Sequence, residues 1–379
     1  MNKASNYHSL FDSEIAILQQ NACRCDDWNR IKASAEFDPA RCVGVVFSGD
    51  VTLGDLSGSY TDKTGVTVKC GISNAHIHNC TIGSNVLIVN VGDYIANYDI
   101  EDNVVIKNCG KIYTEGTSSF GNGTEVAVLN ETGGRAVKIW DKLSAHEAYI
   151  IALYRHREKA VRNIENMIME YAVSVSSDRG IIRHDSTVLN CRDIRNVRIG
   201  PYSFLEGAMR LNEGSVNSCK EDPVFIGPGV IMDHFILCSG SEVTESTLID
   251  KCFIGQGCML GKHYSAENSL FFANSGKHHA QTLGHHLSHH LLHRWHVFSH
   301  KLEHHFHHVA RIFSFHHLRH HFHHHGHHGG HHLLFFFRGQ IGKKLLHHPI
   351  HQSLLLIRAH SLHYKLHHRI HKAQGPSNS

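Results

Sequence analysis

The sequence predicts an all-β solenoid wound from six-residue repeats, interrupted by one helix and followed by a tail of different composition. Ile82, Ile88, Tyr94, Ile100, Ile106 and Ile112 stand six positions apart, a spacing that fits neither a 3.6-residue helix nor simple strand alternation. The turns between them are rich in Gly, Asn and Asp, as in Ile82-Gly83-Ser84-Asn85-Val86 and Ile100-Glu101-Asp102-Asn103-Val104, residue types that tolerate the backbone angles of a tight corner. Three such sides make one coil of a triangular prism, so about 18 residues close a coil. The third observation is a break: of 40 histidines only eight precede Lys277.

The elements follow in order. Residues 1–40 form a helical lead-in, with a short helix over 13–20 entered through Asp12 as N-cap. Residues 41–143 hold the first block of repeats. Ser144-Ala145-His146-Glu147 has the spacing of a capping box, and Tyr149, Leu153, Ala160, Ile164, Ile168 and Tyr171 continue from it as one apolar stripe, predicting a single helix within 144–175. The repeat resumes over 176–275. Ile182, Val188 and Ile194 share one phase, Ile199, Leu205 and Leu211 another, then Ile226 with Met232, and finally Leu248, Ile254 and Leu260. An antiparallel sandwich would also alternate, but it does not require anchors on a six-residue grid.

Composition limits the setting. The 379 residues, 41% of them apolar, contain no run of about 18 consecutive apolar residues that could span a bilayer. Met1 to Asn6 lack the layout of a signal peptide, so a cytoplasmic location without membrane partners is expected. The 11 cysteines form no C-x-x-C pair and read as reduced thiols filling small core positions.

Several runs resemble a known family. His78-Asn79-Cys80-Thr81-Ile82-Gly83, Tyr94-Ile95-Ala96-Asn97-Tyr98, Ser118-Ser119-Phe120-Gly121-Asn122-Gly123, Val128-Leu129-Asn130-Glu131-Thr132-Gly133-Gly134-Arg135, Leu143-Ser144-Ala145-His146-Glu147-Ala148-Tyr149 and Gly255-Gln256-Gly257-Cys258 are similar to an uncharacterised bacterial family, a domain of unknown function, within the hexapeptide-repeat, trimeric acyltransferase-like superfamily. The resemblance covers most of residues 7 to 275. It implies a left-handed parallel β-helix and a homotrimer. Members commonly transfer acyl groups to sugars or nucleotide-linked sugars, which implies an acyl-coenzyme A or nucleotide-sugar donor, while others only bind or assemble. Fold alone does not choose among them.

A transferase of this kind needs a base near neutrality to take the acceptor's proton. His76 and His78 are candidates, lying at i and i+2 on one face of a strand, away from Ile77. The bland alternative is a surface pair on a corner. Asn130, Glu131, Thr132 and Arg135 flank Gly133-Gly134 and suggest an anion cradle. Ser118, Ser119 and Asn122 could line the same cleft, with His146 pointing near it. Equally, the glycines could only make a turn, with Arg135 pairing to a local acid. No Walker loop or Rossmann glycine signature occurs.

The segment 276–379 holds 12 Lys and Arg against one acid, Glu303, whereas the preceding residues hold 25 bases against 33 acids. His304, His305, His307, His308, His323, His324 and His325 offer imidazoles for Zn, Ni or Cu, so metal sequestration is one reading. Contact with nucleic acid or anionic lipid is another, although no specific nucleic-acid module is present. A third is a frame slip near Ser275. The resembling family continues with a run similar to Ile-Ala-Gly-Met-Phe, and the codons of His293-Arg294-Trp295-His296-Val297-Phe298, read one base over, can encode Ile, a variable residue, then Gly-Met-Phe. On this sequence the expected function is a sugar or nucleotide-sugar modifying transferase, with a noncatalytic scaffold as the alternative.

Overall fold

A six-residue side becomes a short strand only if the chain turns sharply at its end. The computed structural model describes residues 7–129, 134–273 and 275–278, and the turns fall on left-handed backbone. Asn74, Asn90, Asn108 and Asn190 have φ of 51°, 56°, 54° and 54°, a region that asparagine enters more readily than other side-chain-bearing residues. Stacked along one corner, Asn74 Nδ2 donates to Asn90 Oδ1 (3.0 Å), Asn90 Nδ2 to Asn108 Oδ1 (3.2 Å) and Asn108 Nδ2 to Asn190 Oδ1 (3.3 Å).

Three ladders of parallel strands result. Ile82, Ile100, Ile182, Ile199, Val216, Leu237, Ile254 and Phe271 pair rung to rung in the first. Ile72, Ile88, Ile106, Val188, Leu205, Ile226, Val243 and Leu260 do so in the second. Phe47, Ile77, Ile95, Ile112, Ile194, Leu211, Met232 and Ile249 make the third. None of these side chains is more than 3% exposed, and all belong to one core cluster. Each contributes about 1.5–3 kcal/mol by burial, so the stacked interior holds the coils together. Two antiparallel hairpins, Ser59–Thr61 with Thr67–Lys69 and Glu125–Val126 with Val137–Lys138, stand outside the parallel system.

The six-residue grid needs two corrections. Tyr94 is half-buried and Ile95 takes the interior place beside it. Leu248 is 46% exposed and Ile249 points inward. The coils also begin earlier than residue 41: Arg24–Cys25 pairs with Val46 and Phe47, and Ile31–Ser34 with Val51–Leu53. Helix α1, Asp12–Gln20, has Phe11 rather than Asp12 as N-cap, with the Phe11 amide donating to Glu14 Oε2 at 2.8 Å. Its Leu18 is fully buried in the core shared by the three ladders.

The insertion is larger than one helix. The chain leaves the ladders after Lys111–Tyr113 and returns at Gly180–Ile182. Between them stand the second hairpin, α2 (Ala145–Leu153) and α3 (Glu158–Val175). The capping box forms: Ser144 Oγ accepts from the Glu147 amide (3.2 Å) and Glu147 Oε2 from the Ser144 amide (2.9 Å). The expected single helix is broken at 154–157 for a geometric reason. Helix α2 buries Ala148, Ile151 and Ala152, and α3 buries Val161, Ile168 and Ala172. In one continuous helix turning roughly 100° per residue, these two sets would face nearly opposite sides. The break lets the first set, and Val161 and Ile168 of the second, join one cluster with Ile236, Cys238, Phe253 and Leu270, which point outward from the first ladder. The run Phe235-Ile236-Leu237-Cys238 is apolar on both faces because both are covered.

Candidate functional site

Alternation around Ile77 turns His76 and His78 outward, and register brings a third residue to them. Val46 pairs with His76 and Ser48 with His78, so Ser48, one coil earlier, sits between two imidazoles. Its Oγ lies 3.0 Å from His76 Nε2 and 2.9 Å from His78 Nδ1. All three side chains are half-buried.

The hydrogen-bond directions can be worked out from a fixed donor. The Asp50 backbone amide donates to Asn79 Oδ1 (2.9 Å), which leaves Asn79 Nδ2 as the group facing His78 Nε2 (3.0 Å) and Asn97 Oδ1 (3.2 Å). His78 Nε2 therefore accepts, its proton resides on Nδ1, and Nδ1 donates to Ser48 Oγ. With His76 in the tautomer protonated on Nδ1, the Ser48 hydroxyl proton is directed to His76 Nε2. Gly49 permits this approach: its φ is +66°, and a Cβ there would stand 2.1 Å from Asn79 Oδ1.

Farther along the same ladder the outward side chains change character. Tyr94 and Tyr113 meet edge to face with centroids 5.8 Å apart. Beyond them Lys111, Arg195 and Arg210, with Tyr113, Asp193, Asn212 and Asp233, line a polar cavity of about 380 Å³. Lys111 Nζ lies 3.8 Å from Asp193 and Arg195 Nε 3.5 Å from Glu115; the Asp193 carboxylate holds the Lys111 ammonium above its usual pKa. His78, Ala96, Tyr113 and Arg195 occupy successive rungs, so at about 4.8 Å per rung the imidazole pair and Arg195 are roughly 14 Å apart. Still farther, Asp233, His234 and Asp250 bring one ligand atom each within 4.8 Å of one another, a donor set that suits a divalent cation. Burial, followed by Asp233 and Glu267 on neighbouring rungs, raises the Asp250 carboxyl.

The other expected site residues are not gathered here. Ser118 and Asn122 are each 3% exposed and fasten the insertion to the coils: Ser118 Oγ donates to Glu213 Oε2 (2.7 Å) and Asn122 Nδ2 to Ser215 Oγ (3.4 Å), while Asn122 Oδ1 accepts from the Asp141 amide (2.9 Å) within the insertion. Ser119 Oγ donates to the Asn122 carbonyl (2.6 Å). These bonds engage the polar side chains of the Ser-Ser-Phe-Gly-Asn-Gly run. His146 is exposed on the first turn of α2, which covers the first ladder, whereas His76 and His78 lie on the third. Arg135 is exposed. Asn130, Glu131 and Thr132, with tail residues His304, His305, His307, His308, His323, His324 and His325, lie outside the described residues.

Nine of the 11 cysteines are buried and none is in a disulfide. Cys80, Cys191 and Cys252 donate to the carbonyls two residues earlier, and burial pushes the Cys80 and Cys252 thiols up to about 12. They are packing residues, as the spacing suggested. Among the described residues no helix is long and apolar enough to cross a membrane.

Residues 7–288 match the family described as Domain of unknown function (DUF4954). An uncharacterised protein of Treponema pallidum (strain Nichols) is 28% identical over 248 residues, which is 62% of this chain and 34% of that protein. The chain thus spans about a third of the length of this relative.

Proposed function

The chain belongs to the DUF4954 family, and from the geometry of its third ladder we propose that it is a group transferase acting on a sugar or nucleotide-sugar. An anionic donor, acyl-coenzyme A or a nucleotide-sugar, places its phosphates against Lys111, Arg195 and Arg210. Its reactive end reaches the His76 and His78 pair, and imidazole takes the acceptor's proton. The supporting observation is that base and cationic cavity share one face of one ladder, roughly 14 Å apart, with Tyr94 and Tyr113 between them as surfaces on which a ring can stack. Arginine's planar fork suits a pyrophosphate better than a lone ammonium would.

The left-handed winding and homotrimer of hexapeptide acyltransferase-like proteins belong to the same proposal, supported by the three short parallel ladders and their near-six-residue spacing. A thermal-shift screen against coenzyme A, acyl-coenzyme A and nucleotide-sugars tests it. A ligand that raises the melting temperature, and whose effect disappears in Arg195→Ala, supports the reading. Transfer activity that is lost in His76→Ala at unchanged melting temperature completes it. A chain that responds to no donor is a scaffold.

A further inference from the structure

We propose that Ser48 is a covalent nucleophile, an acyl-accepting serine activated by His76. This rests on the transferase reading for the donor but makes a separate claim about the chemistry. A direct transferase needs an imidazole whose lone pair is open to the incoming acceptor. Here His76 Nε2 already lies 3.0 Å from the Ser48 hydroxyl oxygen; in the tautomer protonated on Nδ1 its lone pair faces that hydroxyl, and the group so placed to lose its proton is Ser48 itself. From the other side His78 Nδ1–H points at the same oxygen at 2.9 Å, where it can steady charge that develops on Oγ during attack.

The arrangement places a nucleophile within hydrogen-bond reach of a base, with a second imidazole on the nucleophile's other side. Its positioning shell continues through Asn79, whose amide fixes the His78 tautomer and is itself fixed by the Asp50 backbone amide. Gly49 leaves room for that amide. A serine held between two imidazoles is more than the folding of a corner requires: the corner at Asn74, Asn90 and Asn108 is built with an asparagine stack.

The substrate class is an acyl ester or thioester on an anionic carrier. Ser48 Oγ attacks the carbonyl carbon while its proton passes to His76 Nε2. The tetrahedral adduct collapses, the carbon–oxygen or carbon–sulfur bond to the carrier breaks, and His76 returns the proton to the departing alkoxide or thiolate. The acyl group is then an ester of Ser48. In the second half a sugar hydroxyl, or water, attacks that ester; His76 takes the incoming proton and gives it to Ser48 Oγ as the acyl group leaves. No electrons are exchanged with an oxidant or reductant.

An organophosphorus fluoride probe tests this without any knowledge of the donor, because Ser48 Oγ displaces fluoride and keeps the phosphonyl group. Incubating the full chain with the probe and locating the adduct by peptide mass spectrometry should give a modified Ser48 in the wild type and none in Ser48→Ala. His76→Ala should slow labelling by about 10²-fold or more. Asn79→Ala should slow it less and broaden its pH profile, since the His78 tautomer is no longer set. Ser48→Cys should regain covalent capture with an alkylating acyl analogue. Circular dichroism of each variant separates loss of nucleophilicity from loss of fold.

A folded wild type that leaves Ser48 unlabelled, or labelling as fast in His76→Ala, overturns the proposal. If transfer from a donor proceeds while Ser48 stays unlabelled, the transferase reading survives and the covalent step is refuted. If Ser48 labels but no anionic donor shifts the melting temperature, the nucleophile stands and the donor assignment fails.

Discussion

Gly180 is the first residue on which the chain re-enters the ladders, and replacing it by alanine tests where that re-entry occurs. Gly180 pairs with Tyr98, and a Cβ at Gly180 would stand 2.3 Å from Tyr98 Cζ and 2.6 Å from Thr114 Oγ1. Tyr98 cannot swing away easily, because it is fully buried and its hydroxyl donates to the Val197 carbonyl at 2.7 Å. Overpacking of a core typically costs about 1–3 kcal/mol, and a pinned ring places Gly180→Ala near 3 kcal/mol, the top of that range. Tyr98→Leu alone should also cost about 3 kcal/mol through lost burial and the lost hydroxyl bond. In the double variant the added methyl group occupies the space the ring vacated, so the combined loss should fall short of the sum by about 1–3 kcal/mol. Urea unfolding followed by circular dichroism on the four proteins measures the cycle. Strictly additive losses, or a Gly180→Ala midpoint equal to wild type, would refute the pairing and with it the register of every coil beyond the insertion.

Other expectations are more local. Arg195→Ala should weaken binding of an anionic donor about 10- to 100-fold, as for loss of a charge-assisted hydrogen bond, and reduce its salt dependence, read by titration calorimetry. Asp250→Asn should stabilise the fold at neutral pH by a few tenths of a kcal/mol, because like charges stand on adjacent rungs. The sign follows from the raised folded carboxyl: its ionisation penalty is absent below the ordinary value of 3.8, grows as pH rises through the folded pKa and is complete above it, so the variant's advantage should vanish in acid melts. Native alkylation near neutral pH should modify Cys219 and Cys25, the two half-exposed thiols, and spare Cys42, Cys80 and Cys252 until urea is added, since burial holds those three thiols protonated. Ile194→Ala should cost about 2–5 kcal/mol, measured by the same unfolding assay, because its side chain is fully interior.

Much of the coil was legible because interior stacking imposes a residue type at a fixed interval. Ile82, Ile88, Ile100, Ile106 and Ile112 were found that way, as were Ile182, Val188, Ile194, Ile199, Leu205 and Leu211. The misreadings at Tyr94 and Leu248 share a cause: an apolar residue stands next to the true anchor, and a corner one residue longer or shorter slides the grid by one. The insertion was legible at its capping box and not at its break. A helical stripe records which residues are apolar, and here the decisive fact was that the two halves bury opposite sides. The hairpin Glu125–Val126 with Val137–Lys138 is too short to show a period.

The candidate site was half visible for a reason built into stacked parallel strands. His76 and His78 are neighbours in sequence, so their shared face could be read from alternation. Ser48, Lys111, Arg195 and Arg210 reach the same face only through register, across separations fixed by insertions rather than by the repeat. Between Ser48 and His78 lies a coil lengthened by the hairpin Ser59–Thr61 with Thr67–Lys69, and between Tyr113 and Arg195 lies the whole helical insertion. Both excursions leave the ladder spacing intact, because each strand still stacks on the one a coil before it. The outward residues of one ladder can therefore be far apart in sequence and still stand about 4.8 Å apart per rung. A function on such a surface is written down a column of the ladders, and the column from Ser48 through His78 and Tyr113 to Arg195 is the one whose chemistry changes from nucleophile to aromatic to cation.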